Sequence, residues 1–151
     1  MAGHRLGTKE LESATLTVPE VAEAAAVPVM DEVRGRAVEM YVALKPGLKP
    51  SKEIEDKVSA AIENLIGKIA KPKNVWIVPD MPKTRSGKIM RRVIAGISNF
   101  AGTGDITTLA NPEVVETIKH KVQAEKVSRG QSPRELTPAE LEEIKSFGHV
   151  D

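Results

Sequence analysis

Residues Ile54, Val58, Ala61, Ile62 and Leu65 recur at helical spacing, and soon afterwards a short apolar run extends from Asn74 to Val78 between Pro72 and Pro79. The first pattern lays one apolar stripe along a helix. The second, fenced by prolines, reads as a strand. Ser51 is placed to cap the helix and Gly67 to stop it. An amphipathic helix followed by an apolar strand must bury helix against sheet, which already narrows the architecture to a helix-on-sheet layer.

The rest of the chain fits that scheme. Thr8 to Leu16 reads as a short helix, ended before Val18-Pro19. Val21 to Met30 and Ala37 to Leu44 read as two strands, joined by a polar turn from Asp31 to Arg36 that contains Gly35. Ala25 and Ala26 are poor strand formers within the first. Asp80 to Gly87 reads as a flexible loop, and Ile89, Val93, Ile94 and Ile97 form a second helical stripe, so that Lys88 is expected where loop meets helix. Asn111-Pro112 gives a cap residue followed by proline at the first helical position, and Val114, Val115, Ile118 and Val122 form the apolar side of that helix. Thr137-Pro138-Ala139-Glu140 is a capping box for a last short helix to about Ser146. The expected fold is α+β: a small domain with a short mixed or antiparallel sheet flanked by helices, plus a polar helical C-terminal tail. The expected division is residues 1–124 for the domain and 125–151 for the tail.

With aromatic residues at only 3% and no cysteine, the core must rest on aliphatic side chains, without disulfides or cysteine metal sites. That fits a reducing cytoplasm. No apolar run approaches the roughly 20 residues a membrane helix needs, and residues 1–12 lack the apolar stretch of a secretory signal. A net charge of +1 gives no global attraction to nucleic acid.

The electrostatic message is local. Lys83, Arg85, Lys88, Arg91 and Arg92 lie within ten residues, and no acid occurs between Met81 and Gly104. Such a cluster suits an anionic ligand, phosphate first, although an anonymous basic run is ordinarily a solvated helix face. A Walker-type loop is excluded, because Pro82 stands where its first glycine is needed and Ile89 where it needs Ser or Thr. The alternative is a basic RNA-binding module using Arg85, Lys88, Arg91 and Arg92. Scarce aromatics argue against it, since single-strand binding relies on stacking.

Three separated strings give the pattern a family. PKTRSGKIMRR (Pro82 to Arg92) resembles the C-terminal lysine motif of the acyl-adenylate-forming enzymes, in the form closest to the AMP-forming acetyl-CoA synthetases. GHRLGTKELE (Gly3 to Glu12) resembles their motif just after the interdomain hinge, and GDITTLANPEVV (Gly104 to Val115) resembles their C-terminal tail. The three occur in the family's order and span roughly Gly3 to Lys121.

The resemblance implies a mobile C-terminal catalytic domain of an enzyme that joins acetate to ATP and passes the acetyl group from acetyl-AMP to coenzyme A. ATP, coenzyme A and Mg2+ belong to the full-length enzyme, and none is expected bound to this fragment. By the same resemblance Lys88 is the catalytic residue of adenylation, supported by Thr84, Arg85, Ser86 and Gly87 in its loop. Gly3 leaves room for the pantetheine arm and Arg5 contacts nucleotide phosphate. No chemistry is assigned to His4. The family lysine matching Lys88 is a target of reversible acetylation, so a protein acetyltransferase and a deacetylase are implied partners, beside the N-terminal ATP-binding domain of the same enzyme.

The sequence also departs from the family. Ala2 replaces a serine that contacts coenzyme A, Glu63 stands at the position of an arginine associated with coenzyme A, and Val18 replaces a histidine of a described metal site. No metal ligands are therefore assigned. Asp31, Glu32, Glu53 and Glu55 read as surface solubility. With the hinge motif almost at Met1, the chain is expected to be an expressed fragment, inactive alone.

Overall fold

The computed structural model describes residues 8–31 and 35–130, with Pro138, Ala139 and Glu142 beyond them. Its elements run α1 (Thr8–Leu16), β1 (Val21–Asp31), β2 (Gly35–Leu44), α2 (Lys52–Leu65), a 3-10 turn (Lys68–Ala70), β3 (Asn74–Val78), α3 (Arg91–Ser98) and α4 (Glu113–Ser128). The α+β expectation holds. Both strands extend beyond their expected bounds: β1 includes Asp31, and Gly35 opens β2. Ala25 and Ala26 are wholly buried within β1, so burial outweighs their weak strand preference. The strand order β1-β2-β3 makes β1 an edge strand, which accommodates Pro28 without breaking a central ladder.

Two compact units make up the chain, one of the described residues up to Ala26 with Val38–Val78, the other of those in Val27–Ala37 with those from Pro79 onward. In the first, β2 and β3 pair in parallel from Glu39↔Asn74 to Ala43↔Val78, with α2 as the crossover between them. Alternate strand residues (Ala24 and Ala26, Met40 and Val42, Val75 and Ile77) meet Leu11 and Ala14 of α1 and Ile54, Val58 and Ile62 of α2 in one core. Ser51 Oγ accepts from Ile54 N at 3.2 Å, the expected N-cap. The stripe stops one turn early: Leu65 is 61% exposed, and Ile66 packs against the core in its place. The chain leaves the helix there, with Gly67 at φ +135.

Two carboxylates in this unit point inward. Glu12 Oε2 accepts from Ala26 N at 2.9 Å, satisfying a backbone donor that an edge strand cannot pair on its open side. Glu39, fully buried on the sheet face opposite Met40, accepts from Trp76 Nε1 and from Asn74 Nδ2, each at 2.8 Å. Tyr41, Ala43, Trp76 and Val78 are buried on that same side of β2 and β3.

In the second unit α3 and α4 pack together. Val93, Ile94 and Ile97 are buried in α3, and Val114, Val115, Ile118 and Val122 in α4, as their spacing predicts. Asn99 ties the end of α3 to the end of β1: its Oδ1 accepts from Met30 N at 2.9 Å, while its Nδ2 donates to Pro28 O (2.9 Å) and Ala95 O (2.7 Å). Helix α4 continues through residue 125 to Ser128, with Lys126 buried, so the expected domain-tail division falls inside a helix. Pro138, Ala139 and Glu142 are helical, within the span expected for the last helix, and its other residues lie outside the described set. No helix among the described residues is long and apolar enough to cross a membrane.

Candidate functional site

The lysine motif does not form the loop-to-helix junction that its sequence suggests. It folds as a miniature hairpin. Thr84 N donates to Lys88 O (2.8 Å), Gly87 N to Thr84 O (2.9 Å) and Met90 N to Pro82 O (2.8 Å), while Lys83 and Ile89 form an antiparallel bridge. Arg85, Ser86 and Gly87 are the loop, with Gly87 at φ +91, the left-handed third position that a three-residue hairpin loop favours. Gly87 therefore gives shape where the sequence suggested flexibility. The Thr84 hydroxyl accepts from Lys88 N at 3.1 Å and shares a 2.9 Å hydrogen bond with Ser86 Oγ. Ile89 belongs to this hairpin, and α3 starts only at Arg91.

The side chains of Arg85, Ser86 and Lys88 are exposed. A lysine whose backbone is held on a hairpin arm, with its ammonium in solvent, can present a positive charge to a docked surface with little backbone reorganisation.

The other cations of the motif are differently engaged. Lys83 Nζ lies 3.6 Å from Asp80 Oδ1. Arg92 donates from Nη1 to Thr103 O (2.9 Å) and from Nη2 to Asp105 O (3.4 Å), strapping the loop that enters the tail motif. Its guanidinium thus serves backbone carbonyls.

In the strapped loop Asp105 Oδ1 accepts from Thr107 Oγ1 (2.7 Å) and Thr107 N (2.9 Å). The hydroxyl bond first, then the amide bond and the more distant Arg92 charge, hold the Asp105 carboxyl below the usual aspartate range. A carboxyl held low contributes stability that is present above its unfolded value and disappears as pH falls through its folded one. An NMR titration of Asp105 is expected to give a midpoint below that of an ordinary aspartate, with Thr107→Val moving it upward. An unchanged midpoint in that variant would discard the hydroxyl as the main cause.

Asn111 corrects the sequence reading most sharply. The helix begins one residue later than expected, at Glu113 with Pro112 in the cap position, and the Asn111 side chain is engaged elsewhere. It turns to the lysine motif instead: Oδ1 accepts from Lys83 N at 2.9 Å, and Nδ2 donates to Met81 O at 2.8 Å and to Asp80 Oδ2 at 3.3 Å. Ala110 N adds a 2.9 Å bond to Lys83 O, and Thr84 bridges Leu109. The tail motif thereby lies along the lysine motif as a third extended segment. Local sequence marked Asn111 only as a cap.

Gly3, Arg5 and His4 lie outside the described residues, as do Ala2 and the side chains of Asp31 and Glu32. Glu53 is exposed, and Glu55 and Glu63 are half-buried. Val18 is part of the apolar core, 5% exposed. Among the described residues no group of three or more His, Cys, Asp or Glu could hold a metal ion.

Comparison with known proteins finds relatives over most of the chain. The acetyl-coenzyme A synthetase of Methanothrix thermoacetophila is 44% identical over 118 residues, which cover 78% of this chain and 18% of that protein. The enzyme of the same name from Penicillium chrysogenum is 45% identical over 126 residues, covering 82% and 19%. Among solved structures, an acyl-CoA synthetase of Brucella canis superposes with a TM-score of 0.59 at 34% identity, over 64% of this chain and 18% of its own. An amide bond synthetase, McbA of Marinactinospora thermotolerans, gives 0.52 at 27% identity, over 58% and 17%. The chain spans less than a fifth of the length of the curated relatives it matches. The pattern of the AMP-binding enzyme C-terminal domain matches residues 10–88, a stretch that ends on the hairpin lysine. On that match the chain belongs to the AMP-binding enzyme C-terminal domain family.

Proposed function

We propose that this chain works as the mobile C-terminal domain of an AMP-forming acetyl-CoA synthetase, supplying Lys88 to an active site mostly built by an N-terminal ATP-binding domain. The single observation that carries the reading is the exposure of Lys88 on a hairpin whose backbone is bonded on both arms. The kinship with acetyl-coenzyme A synthetases supports acetate as the acyl substrate.

In adenylation the Lys88 ammonium bridges the acetate carboxylate and the α-phosphate while negative charge is redistributed between them. It acts as an electrostatic clamp and moves no proton. Mg2+ neutralises ATP phosphate charge in such a reaction. For the second half-reaction, transfer of acetyl to coenzyme A, Gly3 leaves space for the pantetheine arm and Arg5 offers its donor fork to phosphate. Acetylation of Lys88 by a protein acetyltransferase, reversed by a deacetylase, removes the clamp's charge and so stops adenylation.

Mixing the chain with the separately purified N-terminal domain of an acetyl-CoA synthetase is expected to give acetate-dependent pyrophosphate release that neither part shows alone. Prior treatment of the chain with an acetyltransferase and acetyl-CoA should abolish that release in proportion to Lys88 acetylation, read by peptide mass spectrometry. The proposal fails if the chain adds nothing to the N-terminal domain. The regulatory part fails if fully acetylated chain works as well as untreated chain.

A further inference from the structure

The Lys88 hairpin supplies two segments of a three-segment arrangement. Pro82 to Thr84 is its middle segment, and its backbone groups bond alternately to either side. Pro82 O and Thr84 N engage the hairpin's second arm, at Met90 N and Lys88 O, whereas Lys83 O accepts from Ala110 N. Lys83 N faces the end of the tail segment, where the chain turns into α4 after Asn111. Asn111 Oδ1 fills that place. On its other side the same amide donates to Met81 O and Asp80 Oδ2, so one side chain engages Asp80, Met81 and Lys83 on the approach to the hairpin. Met81 is fully buried, which leaves Met81 O few other donors to choose from.

We propose that Asn111 is the positioning residue for Lys88: its amide completes the extended ladder that sets the direction in which the hairpin carries the lysine. It touches neither substrate nor cofactor, and it acts through Lys83. This inference rests on the adenylation role given to Lys88. It adds that the tail motif is a brace for the lysine motif, which explains mechanically why both belong to one unit. A small misplacement of a charge that must contact two ligand groups together costs rate steeply, on the order of a hundredfold for 1 Å.

The test reads hairpin order and chemistry separately. In Asn111→Ala, hydrogen–deuterium exchange of the full chain should quicken over peptides spanning Lys83 to Met90 and stay unchanged over α2. With the N-terminal domain added, pyrophosphate release should fall roughly ten- to hundredfold, while thioester formation from supplied acetyl-AMP keeps its rate. Asn111→Asp retains the acceptor for Lys83 N but sets its carboxylate against that of Asp80, so it should also slow adenylation. Adding Asp80→Asn to Asn111→Asp restores a donor to the pair and should recover most of the loss, a rescue that general damage to α4 would not permit.

Unchanged exchange over the hairpin in Asn111→Ala overturns the proposal. So does equal activity of Asn111→Asp with and without Asp80→Asn. If Lys88→Ala leaves adenylation intact, the role of the lysine falls by itself, and hairpin exchange still decides whether Asn111 holds the segment.

Discussion

Lys88→Ala is expected to slow acetate-dependent pyrophosphate release by roughly a hundredfold or more, and to leave thioester formation from supplied acetyl-AMP near its original rate. The magnitude follows from the charge alone. One ion contact at about 4 Å, at an effective dielectric near 20, contributes a few kcal/mol, and each 1.36 kcal/mol is about tenfold in rate. Lys88 is exposed and joins the hairpin through its backbone N and O, so the truncated variant should fold as the parent does. Comparing the two half-reactions, each assayed with the N-terminal domain present, is the decisive measurement. Equal losses in both would show that the lysine is not reserved for adenylation.

The second large effect is on stability. Glu39→Ala removes at once the acceptor of a buried hydrogen bond from the Trp76 indole N–H and of a part-buried one from the Asn74 amide. Each buried donor left without a partner costs about 1–3 kcal/mol. A loss of about 2–4 kcal/mol is therefore expected, a large share of the margin of an ordinary domain. Glu39→Gln should lose less, since its carbonyl still serves one of the two donors. Urea unfolding followed by the emission of Trp76, with the slope of the transition held constant, gives the difference. A midpoint for Glu39→Ala that matches the parent would mean that the indole and amide find other partners at no cost.

These two sites differ in how far the sequence disclosed them. Local patterns located α2, β3 and α4, because each buries a stripe or run whose spacing is written into a few consecutive residues, and boundary residues alone located α1. The inward Glu39 escaped that logic. A glutamate in an alternating strand reads as solvent-facing, and its two donors come from a parallel strand beyond a helical crossover. Ile89 misled in the opposite way, being four residues before Val93 and so in phase with α3, while Met90 N bonds back to Pro82 O and holds that segment extended. Asn111 carried a familiar cap signature, and its amide was drawn away by Lys83 N, a donor 28 residues earlier. Helix ends and hairpin arms are decided by such distant partners. The identity of the lysine came from the resemblance of PKTRSGKIMRR, since charge pattern alone also fitted a solvated face.

The loop at Gly87 has a chemical corollary. A methyl group built on this residue would meet no atom within 4 Å, yet the φ of +91 is one that L-residues rarely adopt. The constraint there is chirality, with room to spare. L-alanine at this position must distort the bend that sets Lys88 on its arm, whereas D-alanine, introduced by peptide ligation, finds its own preferred torsion. A mirror-image residue would stiffen the lysine's mount where the natural enantiomer would bend it.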